Sequence, residues 1–167
     1  MLKMMAEGVD GLEPYAHWMR RALAEATAAR ERGEVPVGAC IVTTGGRLLA
    51  AAGNRTRTDC DPTAHAEVVA LREAAKKYGN YRLTDTVVYS TIEPCAMCAG
   101  ALVQARVKRL IYGARDERAG AVESNFRICS SGSLNHQIEV ISGVLETECR
   151  ALMQEFFRVR RKTDVRY

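Results

Sequence analysis

An almost unbroken apolar run from Val35 to Val42 restricts the fold of this chain more than any other sequence feature. A strand without alternating polar residues is typical of a strand buried on both faces, which requires helices on each side of its sheet. The neighbouring segments agree with this arrangement. Apolar residues at helical spacing extend from Pro14 to Arg32, and a turn at Gly45-Gly46 leads into a second strand at 47–52.

Strands and helices alternate along the rest of the chain. The predicted elements are a helix at 64–78, a strand at 86–91, a helix at 94–106, a strand at 109–113, a strand at 138–144 and a terminal helix from 145. The strand–helix–strand unit at 86–113 predicts a right-handed parallel crossover. The whole order predicts an α/β fold, a three-layer α/β/α sandwich with a mixed sheet of about five strands. The segment at 116–136 is less regular and has room for one short helix.

The 167 residues are enough for one domain with its own core. We predict a single domain at 14–162, between a flexible N-terminus at 1–13 and a basic tail at 163–167. Hydrophobic residues make up 47% of the chain and charged residues 26%, which is typical of a soluble globular protein. No apolar run approaches the roughly 20 residues of a membrane-spanning helix, and residues 1–11 do not resemble a secretory signal. We therefore expect a cytoplasmic protein without a membrane partner.

A His-x-Glu motif at 65–67 and a Pro-Cys-x-x-Cys motif at 94–98 carry the residues best suited to chemistry. A pair of cysteines at this spacing can be a zinc half-site, a redox dithiol or a coincidence. Pro94 suits the first turn of a helix, which would place Cys95 and Cys98 one turn apart on the same side. The helix N-terminus lowers the pKa of a thiol and so favours the thiolate that zinc binds. This setting favours a metal site over a redox pair.

His65, Cys95 and Cys98 together offer one imidazole and two thiolates. Three protein ligands are typical of a catalytic zinc, which keeps one coordination position open, whereas a structural zinc normally has four. Cys60 or Cys129 could supply a fourth ligand, so both kinds of zinc site stay open at this point.

Glu67 is the candidate proton-transfer group beside the metal, and the alternative is a surface acid at a helix start. Residues two positions apart point about 200° away from each other on a regular helix. His65 and Glu67 can therefore share a site only where first-turn side chains converge beyond the helix tip. The same condition holds for the cysteine helix. We predict two helix N-termini that face one zinc ion, with Glu67 acting first as base and then as acid.

The last ten residues hold five basic residues and one acidic residue, so their net charge of +4 equals the formal charge of the whole chain. A basic tail on a neutral body indicates a polyanionic partner, or else a solvated helix end. Residues 156–162 interleave Phe with Arg and Lys, which suits contact with RNA phosphates. We expect Phe156 to pack in the core, while Phe157 can lie in the core or on the surface.

Six ordered segments carry a resemblance to a known family. They are Glu34-Val35-Pro36-Val37-Gly38-Ala39, Asp61-Pro62-Thr63-Ala64-His65-Ala66-Glu67, Asn80-Tyr81-Arg82-Leu83, Glu93-Pro94-Cys95-Ala96-Met97-Cys98-Ala99-Gly100-Ala101, Gly113-Ala114-Arg115-Asp116 and Asn135-His136. With them the chain resembles the zinc-dependent nucleobase deaminases and, within these, the bacterial tRNA adenosine deaminases. The resemblance extends from Tyr15 to Lys162, and the ordered set is far more specific than the two metal motifs alone.

The resemblance implies a cytidine deaminase-like fold, a homodimer, and hydrolytic conversion of adenosine to inosine at the wobble position of a tRNA anticodon. It assigns one zinc ion per chain to His65, Cys95 and Cys98, and proton transfer to Glu67. The positions that it places against the base are Asn54, Val37, the backbone of Ala66, and Pro94. The positions that it places against the RNA are Arg115, Asp116, Phe157, Arg158, Arg160 and Arg161. From the residues alone, Asn54 can instead turn a loop, and Val37 can instead pack in the core.

One segment departs from the pattern of the family. Glu123 stands where Gly is common, and Asn125 and Cys129 stand where Leu is common. A carboxylate near a phosphate would weaken RNA binding. Two other functions therefore stay open: a deaminase of a free base or nucleoside such as guanine, cytosine or adenine, and a zinc-containing RNA-binding module without catalysis.

Overall fold

The computed structural model describes residues 11–163 of the chain. The predicted flexible N-terminus and basic tail fall mainly outside this range. Within residues 11–163, no helix is both long enough and apolar enough to cross a membrane.

The described residues form four helices and five strands. The helices are α1 (Glu13–Glu31), α2 (Ala66–Tyr78), α3 (Ala96–Gln104) and α4 (Glu146–Thr163). The strands are β1 (Gly38–Thr43), β2 (Leu48–Gly53), β3 (Thr86–Ile92), β4 (Arg109–Ala114) and β5 (Glu139–Ser142). The element order is the one that the sequence predicts.

All five strands belong to one mixed sheet, in the order β2-β1-β3-β4-β5. β1 pairs antiparallel with β2 and with β3, whereas β3, β4 and β5 are parallel to one another. The prediction of a mixed five-stranded sheet is confirmed. Because β3 and β4 are parallel, the segments that follow them meet at one edge of the sheet, where ligands bind in open α/β folds.

The layers on the two faces of the sheet explain the apolar run that opens β1. Ala39 and Ile41 of β1 pack into one core cluster together with residues of α2 and α3. Cys40 and Val42 pack into a second cluster, on the other face, together with residues of α1 and α4. A strand covered on both faces needs no polar side chains, so the three-layer prediction is confirmed.

Most predicted strand and helix boundaries lie within two residues of the observed ones, and the start of β1 differs by three. β1 begins at Gly38 rather than Val35, because Pro36 has no N–H to donate and the Val37 N–H bonds the Val35 carbonyl oxygen at 2.8 Å in a tight turn. α3 begins at Ala96, after Pro94 rather than at it. The segment at 116–136 forms turns and contains no helix.

Gly38 lies where β1 passes α1 most closely. A methyl group at this position would overlap the Ala22 carbonyl oxygen and lie 2.6 Å from the Ala26 backbone nitrogen. We predict that Gly38→Ala lowers the free energy of unfolding by about 1–3 kcal/mol, because the helix backbone cannot move aside without loosening its packing. Gly45→Ala is the control, since its methyl would meet only Thr43 Oγ1, at 3.8 Å, and should change stability by less than about 0.5 kcal/mol. Urea unfolding measures both, and equal effects would contradict the close packing of α1 on β1.

Candidate active site

His65 and Cys95 each lie immediately before a helix. His65 precedes α2 and Cys95 precedes α3, with extended backbone at ψ 152° and ψ 174°. Neither side chain makes a capping hydrogen bond to its own helix, so the imidazole and the thiol are available to a ligand. Cys98 follows in the first turn of α3 and is fully buried. The two helix N-termini therefore bring all three side chains to one point.

The three candidate ligand atoms have the spacing that zinc requires. Nδ1 of His65 lies 3.6 Å from the Sγ atoms of both Cys95 and Cys98, and all three atoms lie within 4.8 Å of one another. A tetrahedral zinc, with bonds of about 2.1 Å to nitrogen and about 2.3 Å to sulfur, separates such ligands by about 3.5 Å. Within residues 11–163, no other His, Cys, Asp or Glu joins this group: Cys60 is exposed, and Cys129 is buried in the core. Three ligands fit a catalytic zinc better than a structural one.

The two thiols differ in their affinity for a proton. A hydrogen bond from Cys98, together with the contact to His65, lowers the pKa of the Cys95 thiol to about 4. The same hydrogen bond and burial raise the pKa of the Cys98 thiol. The lowered pKa of Cys95 favours the thiolate that zinc binds, and a bound cation would favour the thiolate of Cys98 as well.

Glu67 is the second residue of α2, and only 4% of it is exposed. Its Oε1 accepts a hydrogen bond from Ser90 Oγ at 3.3 Å, and its Oε2 accepts one from Cys98 Sγ at 3.5 Å. Burial raises the pKa of the carboxyl above its ordinary range. Glu67 and His65 reach the same site because His65 lies outside the helix, so the opposed directions of helical residues two apart do not apply.

A cavity of about 1080 Å³ opens above the metal ligands. His65, Glu67 and Cys95 contribute to its lining, and so do Val37, just before β1, and Asn54, just after β2. The volume lies at the upper limit of small-molecule pockets, which range from about 300 to 1,000 Å³. The cavity therefore has room for more than a free base.

The rim of the cavity is mostly basic. Its lining residues from the segment after β4 and from α4 include Arg115, Asp116, Arg118, Arg150, Phe157, Arg160 and Arg161. Five of the six residues expected to contact RNA are in this set. Arg158 is not in this set; it lines a smaller pocket beside the cavity, together with Gln154, Glu155 and Arg161. Asp116 Oδ1 accepts the backbone N–H groups of Arg118 and Ala119 and so shapes the turn.

Two residues expected against the base, Ala66 through its backbone and Pro94, are not among the residues that line the cavity. Ala66 is fully buried at the start of α2. The Pro94 carbonyl oxygen accepts the Ala121 N–H at 2.8 Å and joins the start of α3 to the segment after β4. Phe156 is buried, as predicted, whereas Phe157 is 40% exposed at the cavity.

Two buried carboxylates, Glu34 and Glu93, bind the backbone of segments that line the site. Neither residue had a role predicted from the sequence. Glu93 accepts backbone N–H groups of Asp116 and of the three residues 122–124, at 2.8–3.1 Å. These bonds and one from the Ser124 hydroxyl outweigh the effect of burial and hold the pKa of Glu93 below its usual range. The only sequence signal was a carboxylate directly beside an apolar strand in each case.

The sequence predicted that the Glu123 carboxylate could lie near an RNA phosphate and weaken RNA binding. In the structure, this carboxylate has partners within the chain. Its Oε2 accepts the Tyr112 hydroxyl and lies 3.8 Å from an Arg115 guanidinium nitrogen. Asn125, in the same segment, donates its amide nitrogen to the Glu117 and Gly120 carbonyl oxygens. Two of the three departures from the family pattern, Glu123 and Asn125, therefore have partners within the chain, and the third, Cys129, is buried in the core.

A family model for the zinc-binding region of cytidine and deoxycytidylate deaminases matches residues 12–114. This chain belongs to that deaminase family. The tRNA-specific adenosine deaminase of Haemophilus influenzae is 45% identical over 86% of this chain and 83% of its own length. The tRNA-specific adenosine deaminase of Agrobacterium fabrum is 47% identical over 89% of this chain and 97% of its own. The family resemblance seen in the sequence is confirmed.

Solved structures of the family share the fold. One, from work on A-to-I editing by tRNA:A34 deaminases at the wobble position, is 47% identical with a TM-score of 0.79, and the match covers 81% of this chain and 98% of that one. Guanine deaminase from Nitrosomonas europaea is 26% identical with a TM-score of 0.72, over 83% of this chain and 82% of that one. The cytidine deaminase-like fold is thus confirmed. The chain is a deaminase, with His65, Cys95 and Cys98 positioned to bind its zinc.

We predict that the purified wild-type chain holds one zinc ion and that His65→Ala and Cys95→Ser remove most of it, because two remaining ligands bind zinc weakly. Cys60→Ser is the matched control, since this exposed cysteine lies outside the ligand group. Plasma mass spectrometry measures zinc per chain, and circular dichroism shows whether each variant is folded. Loss of zinc from folded Cys60→Ser, as complete as from Cys95→Ser, would contradict the three-ligand site.

Proposed function

We propose that this chain converts adenosine to inosine at the wobble position of a tRNA anticodon by zinc-dependent hydrolytic deamination. The observation that carries the proposal is a buried carboxylate, Glu67, beside three convergent zinc ligands under a cavity with a basic rim. Relatives named as tRNA-specific adenosine deaminases, at 45% and 47% identity, support the choice of substrate. A tRNA substrate also leads us to expect that the chain acts in the cytoplasm.

In the proposed reaction, the carboxylate of Glu67 transfers a proton twice. Bound zinc supplies Lewis acidity, which makes water acidic enough to lose a proton near neutral pH. Glu67 accepts that proton, the water oxygen bonds the ring carbon that carries the amine, and Glu67 returns the proton to the neighbouring ring nitrogen. Glu67 then takes the proton of the new hydroxyl group and passes it to the amine, so that the amine leaves as ammonia, a carbonyl remains and adenosine becomes inosine. A pKa raised by burial suits both roles, because the group must give up the proton as readily as it takes it.

Base and RNA contacts would come from different parts of the cavity. Asn54 can accept a hydrogen bond from a purine edge through its amide oxygen, because its amide nitrogen already donates to Glu34 and Thr56, and Val37 offers an apolar surface beside it. Arg115, Arg160 and Arg161 line the rim, where guanidinium groups can bind phosphates and position the loop. Single-stranded loops expose bases that can be turned into such a pocket, and Phe157 offers a ring for stacking.

We predict that wild type forms inosine in a synthetic anticodon stem-loop RNA and that Glu67→Gln slows this reaction by about 10²- to 10⁴-fold, because an amide cannot carry the proton. Glu73→Gln, an exposed glutamate on the same helix, is the matched control and should react like wild type. Nucleoside analysis by mass spectrometry measures inosine, and zinc content is determined for each variant.

The same assay separates the RNA substrate from a free base. RNA deamination should weaken steeply as salt rises, since phosphate contacts release counterions. If zinc-loaded wild type leaves the RNA unchanged but releases ammonia from guanine or another free base, the tRNA proposal is wrong. The guanine deaminase likeness would then indicate the substrate.

We also propose that the chain forms a homodimer through the outer face of α3. This helix has no charged residue, and Met97 on it is 37% exposed. Phe126 and Tyr81, 62% and 69% exposed, belong to segments tied to the two ends of α3 by the Ala121–Pro94 and Leu83–Ala105 backbone hydrogen bonds. Exposed apolar side chains grouped in this way are typical of an interface between subunits.

Met97→Glu is expected to convert a dimer into a monomer, because a charge without a partner is costly inside an interface. Val159→Glu is the matched control, since Val159 is an exposed apolar residue on α4 and should leave the dimer intact. Sedimentation velocity at micromolar concentration measures both. A wild-type chain that sediments as a monomer, or equal dissociation by both variants, would refute this interface.

A further inference from the structure

Glu34 is a fully buried carboxylate that the deamination steps do not use. It lies between α1 and β1, directly after Gly33, and has no exposed surface. A buried charge costs free energy unless hydrogen bonds compensate it. The partners of Glu34 therefore indicate what the residue is for.

All hydrogen-bond donors to the Glu34 carboxylate come from the segment 54–58, directly after β2. Oε1 accepts the backbone N–H of Thr58 at 2.7 Å and its hydroxyl at 2.8 Å. Oε2 accepts the Arg57 N–H and the Thr56 hydroxyl, both at 3.3 Å, and the Asn54 amide nitrogen at 3.2 Å. Burial favours the neutral acid, but these bonds together hold the pKa of Glu34 below its ordinary range. The group is an ionised acceptor at neutral pH.

An ionised acceptor decides which way the Asn54 amide faces. A carboxylate cannot donate, so the amide must turn its nitrogen, not its oxygen, toward Glu34. The same nitrogen lies 3.2 Å from Thr56 Oγ1, and the Asn54 backbone N–H bonds the Val37 carbonyl oxygen at 3.0 Å. Asn54 thus reaches the cavity lining with its amide already oriented, beside Val37.

The backbone that carries Glu34 is itself held from two directions. Its N–H bonds the Ala29 carbonyl oxygen of α1 at 3.0 Å. The carbonyl oxygen of Gly33 accepts guanidinium N–H groups of Arg57, at 3.2 Å, and of Arg160 from α4, at 2.8 Å. The acceptor that faces Asn54 is therefore fixed relative to α1, to the 54–58 segment and to α4.

We propose that Glu34 is a positioning residue for the deamination, acting through the amide of Asn54; this inference rests on the proposed function, in which Asn54 contacts the base. Glu34 does not touch the substrate. It fixes the direction in which the Asn54 amide oxygen, an acceptor, faces the base, so that no binding energy is spent on turning the amide.

A double-mutant cycle tests the inference. Glu34→Gln keeps the size of the side chain but puts an NH₂ group where only acceptors fit. Steady-state kinetics on the anticodon stem-loop are measured for Glu34→Gln, for Asn54→Ala and for the double variant. We expect each single change to lower kcat/KM about tenfold or more, the effect of losing one hydrogen bond to a charged group. We expect the double variant to be no slower than Asn54→Ala, within about threefold, because Glu34 has nothing left to orient.

Thr58→Val is the control for loop order alone. It removes the hydroxyl donor to Glu34 but leaves the Asn54 contact in place. It should lower the melting temperature while kcat/KM per folded, zinc-loaded chain stays near the wild-type value. The inference is overturned if the double variant loses kcat/KM by the product of the two single-variant losses. It is also overturned if Thr58→Val lowers kcat/KM as much as Glu34→Gln does. Absence of inosine with wild type would instead overturn the proposed function, and the inference with it.

Discussion

The convergence of His65, Cys95 and Cys98 is the constraint on which the rest of this structure depends. Their helices begin at a common point because α2 and α3 pack on the same face of the sheet and β3 carries the chain to α3. Extended backbone just before each helix turns the imidazole and the first thiol toward that point. Two helix N-termini then add positive potential where anionic zinc ligands gather, and Glu67 enters from the first turn of α2.

Two carboxylates, Glu34 and Glu93, hold the segments that form the cavity walls above the metal ligands. Neither takes part in the proposed proton transfers. Glu93 gathers four backbone N–H groups of the segment after β4, and Glu34 gathers the donors of the segment after β2. Irregular backbone has many polar groups that need partners when it is buried. A single ionised acceptor meets that need and fixes the segment at the same time. The segments after β2 and β4 are therefore held at the cavity by hydrogen bonds to one buried carboxylate each.

In the proposed function, the metal ligands and Glu67 at the bottom of the cavity carry out the reaction, and the rim of the cavity selects the substrate. The chain shares its fold with guanine deaminase from Nitrosomonas europaea at 26% identity, and with a tRNA deaminase structure at 47%. A metal with one nearby carboxylate can serve deamination of either kind of base. In the proposed function, the choice of substrate belongs to the rim, where α4 places Phe157, Arg160 and Arg161. Positive charge at the rim would contribute to binding of RNA phosphates but little to binding of a small neutral base.

Apolar periodicity and motif spacing are local properties of a chain. They were therefore enough to predict the order of helices and strands, the sheet between two helical layers and the three metal ligands. Only the tertiary structure decided which donors a buried carboxylate meets: Glu34 and Glu93 bind segments about 20 to 30 residues away, where no local pattern reaches. It also decided that Cys60 and Cys129 stay apart from the metal ligands, and that Arg158 lines a smaller neighbouring pocket rather than the cavity itself. Each of these depends on how a helix or loop is rotated against the sheet, and side-chain packing sets that rotation.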